Sequence, residues 1–511
     1  MASRSRVLTP LPRILAGSVR RLRPLVKILL VCATLAASAA GPLTGCATNP
    51  ATGEKQLSLV GTQQEIAMGR QASQEVAASI GLYDDPGLQA YVARVGDSLA
   101  ARSERPELPW TFGVVDDPAV NAFALPGGFI YVTRGILAHL DSEAELAAVL
   151  GHEIGHVTAR HSVERISKAQ LANVGLGVGS ILSSDIARFG DLANAGLGLL
   201  FLKYSRDDER QADDLGLRYA IRGGYDPRPM TDVFTLLERV SQLQQASRVP
   251  DWLASHPSPE NRRALIAAKI DSTRSSFEGT RVDRDRHLRE IDGVVFGLNP
   301  REGFFRANVF YHPDLRFQLE FPRGWKTANQ KQQVLAVSPR QDAIVGLALA
   351  KGGSAEAAAR TFASQQGLRT SAFRRGDLNG LSAASAEFEA RTQQGTLRGA
   401  VVFVEDEGRV YQLLGYTAGQ LWGGYQREIG AAIASFDRLT DQRILAIQPQ
   451  RLEIVKLPSA MTVEQFAARY PADLSRDMLA VINQVRPGDR LEAGTLMKTV
   501  AGEDVSGRSP Q

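Results

Sequence analysis

The spacing of apolar residues changes period several times along the chain. Ile66, Met68, Ala72, Val76 and Ile80 recur at about helical spacing, predicting a helix over 62–80, and 86–103 continue in the same way. "WTFGVV" (110–115) and "NAFALPGGFIYVTRG" (121–135) then predict strands, the second broken by a turn at Pro126-Gly127-Gly128. From Ser142 to about Ile166 the helical period returns. Leu146, Val149, Leu150 and Val157 form its apolar face, and Ser142 with Glu145 fits a capping box. Residues 169–202 are rich in Gly, Ala and Leu. Their longest uncharged run, 169–184, is too short to span a bilayer, so buried or lid helices beside a site are expected. Further helices are predicted from Ser205 to Arg222, stopped by Gly223-Gly224, and over 229–247 and 260–270.

The texture shifts near residue 305. "DLRFQLEF" alternates strictly, with Leu315, Phe317, Leu319 and Phe321 on one face. Strands recur at 333–351 and 400–416, between helices at 354–366 and 420–435. The last segment reads β-α-α-β: "LEIVKL", a helix capped by Thr462 and Gln465, a second helix at 475–484, then "GTLMKTV". The fold class is therefore α+β. A mainly helical domain with a small sheet (62–270) leads through a charged linker (271–304) to an α+β domain (305–440) and a small βααβ module (450–511).

Composition changes this picture at the N-terminus. The chain's 511 residues exceed one ordinary domain, and its formal charge is +4. Residues 1–45 hold seven basic side chains and no acidic one. Without them 52 basic side chains face 55 acidic ones, so no nucleic-acid partner is expected. Lys27 precedes the short apolar run "ILLVCATLAASAAG", which has the layout of a secretory signal. The run ends in "LTGC", which resembles the lipobox of bacterial lipoproteins. That resemblance makes 1–45 a signal peptide and Cys46 the lipidated N-terminus of a periplasmic protein. Ala47 in the next position, where Asp is absent, implies the outer membrane. Residues 46–61 then read as a polar tether. Only Cys46 survives cleavage, so no internal disulfide is possible.

Three of the seven histidines fall within "LGHEIGHVTARH" (150–161). His152 and His156 are i and i+4, one above the other on a helix, and can bind one cation together. Neutral imidazoles suit zinc, which catalytic sites hold with three protein ligands and an open position. Glu153 can reach a water at that position and take its proton as general base. A third ligand is needed. Glu209 in "YSRDDERQADDLG" is the candidate, with Asp213 four residues on, placed to hold a ligand histidine from behind.

"NAFALPGG", "GHEIGHVTARH", "YSRDDERQADDLG" and "SHPSPENRR", in this order over about 50–270, resemble the zinc metallopeptidase family of the CAAX prenyl protease and the HtpX-like proteases. The soluble periplasmic lipoprotein members are nearest. The resemblance implies a gluzincin-type endopeptidase with one zinc on His152, His156 and Glu209, and Glu153 as base. It places His256 near the metal, either stabilising the oxyanion or occupying the open position and holding the enzyme latent. It also implies that Asn121, Ala122 and Phe123 belong to an edge strand that receives extended substrate by main-chain hydrogen bonds. His161 reads as structural. "FPRGW" and the element order of 305–440 resemble PsbP-like domains. "LAVINQV", "PGDRL" and "GTLMK" resemble the LysM module, which implies peptidoglycan as a further partner, although "PSAMT" replaces the usual Gly-Asp after the first strand.

The function expected is thus zinc-dependent hydrolysis of misfolded or unassembled envelope proteins at the periplasmic face of the outer membrane. A latent holdase or a cell-wall-binding scaffold is the alternative.

Overall fold

The computed structural model describes residues 46–175, 203–243, 256, 261–273, 276–392 and 395–502. The expected signal peptide, and most of the expected lid helices at 169–202, lie outside these residues. Among the described residues no helix is long and apolar enough to cross a membrane. The fold class is α+β, as the spacing of apolar residues implies.

The stretch expected to be a tether is an ordered part of the fold. Strands β1 (Cys46–Thr48) and β2 (Lys55–Leu57) pair antiparallel as a hairpin, Cys46 opposite Leu57. The turn is closed by Asn49, whose Oδ1 accepts from the backbone N–H groups of Ala51 (2.9 Å) and Thr52 (3.3 Å). Asn49, Gln56 and Val60 are buried. These are mostly polar residues, so no apolar pattern announces the docking.

Helix α1 (Thr62–Ser79) and helix α2 (Pro86–Ala100) flank a three-stranded sheet of order β3-β5-β4. Strand β3 (Thr111–Val115) runs parallel to β5 (Phe129–Thr133), and β4 (Ala122–Leu125) pairs antiparallel with β5 at the sheet edge. Helix α3 (Arg134–His139) follows, and then α4 (Glu143–Thr158), whose first turn is capped by Ser142. Every residue of α4 is buried.

The single helix expected over 142–166 is two. Arg160 adopts φ +60°, the left-handed conformation in which helices commonly end. Its guanidinium is anchored by Glu65 (3.0 Å) and by the Val60 carbonyl (2.7 Å). Arg105 holds the same buried Glu65 at 2.8 and 3.1 Å. Helix α5 (His161–Gly175) therefore starts in a new direction, and the break returns His161 towards His156.

Helix α6 (Arg206–Arg222) starts at a capping box between Ser205 and Asp208 and packs along α4. The approach is close because small residues face each other one turn apart on both helices. A Cβ on Gly155 would sit 3.0 Å from the Ala212 carbonyl oxygen, and one on Gly216 would sit 2.8 Å from the His152 nitrogen. Helix α7 (Pro229–Leu243) and helix α8 (Arg262–Ser272) complete the layer.

The charged stretch at 271–304 is not a linker. Helix α9 (Arg284–Glu290) and the residues after it put Leu288, Ile291, Val294 and Phe296 into the same core as Leu146 and Leu150. The apolar positions are few, and the charges on the outer face dominate the sequence. The final module joins that core too. Strands β6 (Arg451–Lys456) and β7 (Leu496–Ala501) pair antiparallel around α10 (Val463–Arg469) and α11 (Arg476–Ile482). The Thr462–Gln465 capping box is present. Lys498 is fully buried, and its Nζ donates to the carbonyls of Ala138 (3.3 Å) and Leu140 (2.5 Å) at the end of α3. Gln484 donates to Glu145 of α4 at 2.7 Å.

Residues 304–438 form an α+β unit around two sheets, of eight and four strands. The larger is built on the long strands Leu381–Thr392, Gly395–Asp406 and Arg409–Ala418, with the helix Trp422–Ala434 packed across it. Phe317, Leu319 and Phe321 point into the core, and Leu315 is partly buried against it, as their alternation requires.

Candidate metal centre

One turn of α4 stacks His152 over His156, and one turn of α6 stacks Glu209 over Asp213. The glycine-lined contact between the helices brings the pairs together. The two Nε2 atoms are 3.0 Å apart, and the Glu209 carboxylate oxygens lie 3.6 Å from His152 and 3.5 Å from His156. His256 Nδ1 is 2.9 Å from Glu209 Oε1 and 3.4 Å from His152 Nε2. One ligand atom from each of these four buried residues falls within 4.8 Å of all the others.

The proton positions follow from the partners. His152 Nδ1 faces Asp213 Oδ1 at 3.0 Å, and Asp213 is gripped by Arg262 at 2.7 and 2.6 Å. Burial works against a charged Asp213, but its bonds to Arg262 and His152 hold the carboxyl below the usual range. A carboxylate only accepts, so His152 carries its proton on Nδ1.

His156 is fixed by a neutral chain. Its Nδ1 is 2.9 Å from Nδ1 of His161, whose Nε2 is 2.8 Å from Gln211 Oε1. Asn49 Nδ2 donates to the same Gln211 oxygen at 3.1 Å. Because the Asn49 oxygen is committed to the hairpin turn, its nitrogen must face Gln211. Gln211 therefore accepts, His161 donates from Nε2, and His156 donates from Nδ1. Both ligand histidines thus aim bare Nε2 lone pairs at one point, beside a carboxylate. A cation at that point would satisfy all three acceptors, while Arg262 stands 2.9 Å from Glu209 Oε2. Tetrahedral zinc with bonds near 2.0–2.1 Å would set the two nitrogens about 3.3 Å apart, close to the spacing found. The donor set therefore fits a metal of this kind.

Glu153 is fully buried, and neither carboxylate oxygen has a hydrogen-bond partner among the described residues. His256 Nε2 is 3.7 Å from Oε1. Burial raises the Glu153 pKa, which makes a better proton acceptor. Burial likewise holds the His156 pKa well below its ordinary value, keeping the ring neutral for ligation. Tyr204 stacks on the His156 ring with centroids 3.8 Å apart.

His152, Glu153, His156, Glu209, Asp213 and His256 are thus brought together. Asn121, Ala122 and Phe123 lie in or beside β4, which is at a sheet edge and packs on α4. Arg262, Tyr204, Gln211 and Asn49 were not anticipated. Arg262 and Tyr204 fall within the quoted motifs "SHPSPENRR" and "YSRDDERQADDLG", and that was the available signal for them. Gln211 also falls within "YSRDDERQADDLG", whereas Asn49 carries no such signal. His161, read as merely structural, touches a candidate ligand.

Comparison with known proteins agrees with this geometry. The model of peptidase family M48 matches residues 86–269. The chain is 30% identical over 251 residues to the beta-barrel assembly-enhancing protease of Escherichia coli K12, covering 47% of this chain and 50% of that protein. It is 37% identical over 188 residues to the mitochondrial metalloendopeptidase OMA1 of Arabidopsis thaliana, covering 36% of each. The chain therefore spans half or less of the length of these relatives. Among solved structures, the cyanobacterial PsbP protein of Synechocystis is 14% identical, over 27% of this chain and 95% of that one, with a TM-score of 0.23, too low to show a shared fold. Residues 86–269 are a metallopeptidase domain of peptidase family M48.

Proposed function

We propose that the chain is a zinc endopeptidase that hydrolyses misfolded or unassembled envelope proteins, held to the periplasmic face of the outer membrane by a lipid on Cys46. The observation that carries the reaction class is the buried His152–His156–Glu209 donor set beside Glu153, whose carboxylate has no hydrogen-bond partner among the described residues. When bound, zinc would supply Lewis-acid polarisation of the attacking water and of the scissile carbonyl. Glu153 takes the water's proton and can hand it to the departing amine. Asp213 and His161 keep the two ligand rings in the right tautomer and orientation. Strand β4, at the sheet edge, offers main-chain groups to an extended segment starting at Asn121, Ala122 and Phe123, which suits unfolded rather than sequence-specific substrates. The similarity to the E. coli beta-barrel assembly-enhancing protease supports envelope proteins as the substrate class.

The test is cleavage of casein by the purified mature protein. Activity should be lost on dialysis against a zinc chelator and return with about one zinc per chain. Metal-free protein that cleaves at the full rate would remove the proposal.

One observation favours a resting enzyme. His256 stands fourth in the donor set, where it would fill the position an attacking water needs. His256→Ala should then raise casein cleavage. A fall of about a hundredfold would instead make His256 an oxyanion stabiliser.

A further inference from the structure

We infer that the N-terminal hairpin is part of the metal centre: Asn49, acting through Gln211 and His161, is a positioning residue that sets the tautomer of the ligand His156. The inference rests on the metallopeptidase reading of the centre.

The path runs one way. His156 Nδ1–H donates to His161 Nδ1, His161 Nε2–H donates to Gln211 Oε1, and Asn49 Nδ2–H donates to that same oxygen. Each member is fixed by the next, and Asn49 is fixed by the hairpin backbone. Among the described residues no further hydrogen bond orients the Gln211 amide, and the Asp208 carboxylate, 3.9 Å from His161 Nε2, favours the same tautomer. The hairpin's docking does not hang on this bond alone, since the Leu59 N–H donates to Ser167 Oγ (2.9 Å) and Arg160 holds the Val60 carbonyl. The orientation of one metal ligand is thereby set by residues more than a hundred positions away, in a segment outside the matched 86–269.

Asn49→Asp is the sharp probe. The Asp keeps an oxygen for the turn but loses the donor. Its carboxylate accepts only, so Gln211 must turn its NH2 group towards it. That NH2 then also faces His161 Nε2, which must accept, and the His161 proton moves to Nδ1. Two N–H groups would then oppose each other between His161 and His156, and His156 can present Nε2 to a metal only by breaking that contact. Gln211→Glu should behave differently, because its carboxylate still accepts from both neighbours. Gln211→Met removes the acceptor.

Wild type and the three variants, as full mature chains, are titrated with zinc against a chromophoric chelator. The visible spectrum of the cobalt-loaded forms is recorded alongside melting curves of the metal-free proteins. Loss of a partner behind a ligand histidine typically weakens metal binding by about 10–100-fold. That loss and an altered cobalt spectrum are expected for Asn49→Asp and Gln211→Met, with Gln211→Glu close to wild type. If Asn49→Asp fails to fold, Gln211→Met decides. Wild-type affinity and spectrum in the folded variants overturn the inference while leaving the peptidase reading intact. If wild type and His256→Ala both bind zinc but cleave nothing, the peptidase reading falls instead and the positioning role stands. A wild type that binds no zinc overturns both.

Discussion

Glu153→Gln is expected to keep about one zinc per chain and to lose peptidase activity by about a thousandfold. The substitution is nearly isosteric and leaves His152, His156 and Glu209 untouched, so metal content should not change. What disappears is the carboxylate proposed to take a proton from the attacking water. The buried carboxylate has no hydrogen-bond partner among the described residues, so its replacement by a neutral amide should not lower the melting temperature of the metal-free protein and can raise it. Activity and stability thus move independently, which separates a base from a structural residue. Glu209→Ala gives the contrasting pattern. It removes a ligand and strips Arg262 of a carboxylate 2.9 Å away, so zinc content falls and activity falls with it. Metal analysis and casein cleavage on the same preparations check both. Substantial cleavage by Glu153→Gln removes the residue from the base role, and unchanged metal content in Glu209→Ala sends the search for the third ligand elsewhere.

Cys46→Ala should move essentially all of the protein from the membrane fraction to the soluble fraction, or leave it as an unprocessed precursor. The motive is "LTGC" after a short apolar run. Retention of the variant in the membrane at normal mature size would require another anchor. Fractionation followed by mass measurement of the N-terminal peptide distinguishes these results.

The legibility of this chain follows the range of its interactions. The helix that carries His152, Glu153 and His156 was readable because HExxH is a local pattern whose spacing fixes which side chains share a face. Glu209 and Asp213 were readable for the same reason, one turn apart on their own helix. The close approach of the two helices was also written locally, in Gly151, Gly155, Ala212 and Gly216, although their meaning needs both helices at once. Hidden were the pairings that join distant segments through single polar contacts. Asn49 meets Gln211 across 162 positions, and Arg262 meets Asp213 across 49. The break at Arg160 was missed because it depends on Glu65 and Val60, which lie far upstream. The supposed tether and linker were misread for a related reason. Their buried residues are too few or too polar to make a periodic stripe, and their partners come from elsewhere in the fold.

The docked hairpin also fixes a length. An acylated Cys46 would be three residues from Asn49, at most about 10 Å of extended chain. Three hydrogen bonds continue from there to His156. With so little slack, the anchor would act as a ruler rather than a leash. The catalytic centre would sweep a thin layer next to the bilayer instead of the width of the periplasm. Polypeptides stalled at that surface would meet the site at high effective concentration, while soluble proteins of identical sequence would seldom reach it. Selectivity would then come from where a chain is exposed more than from what its side chains are.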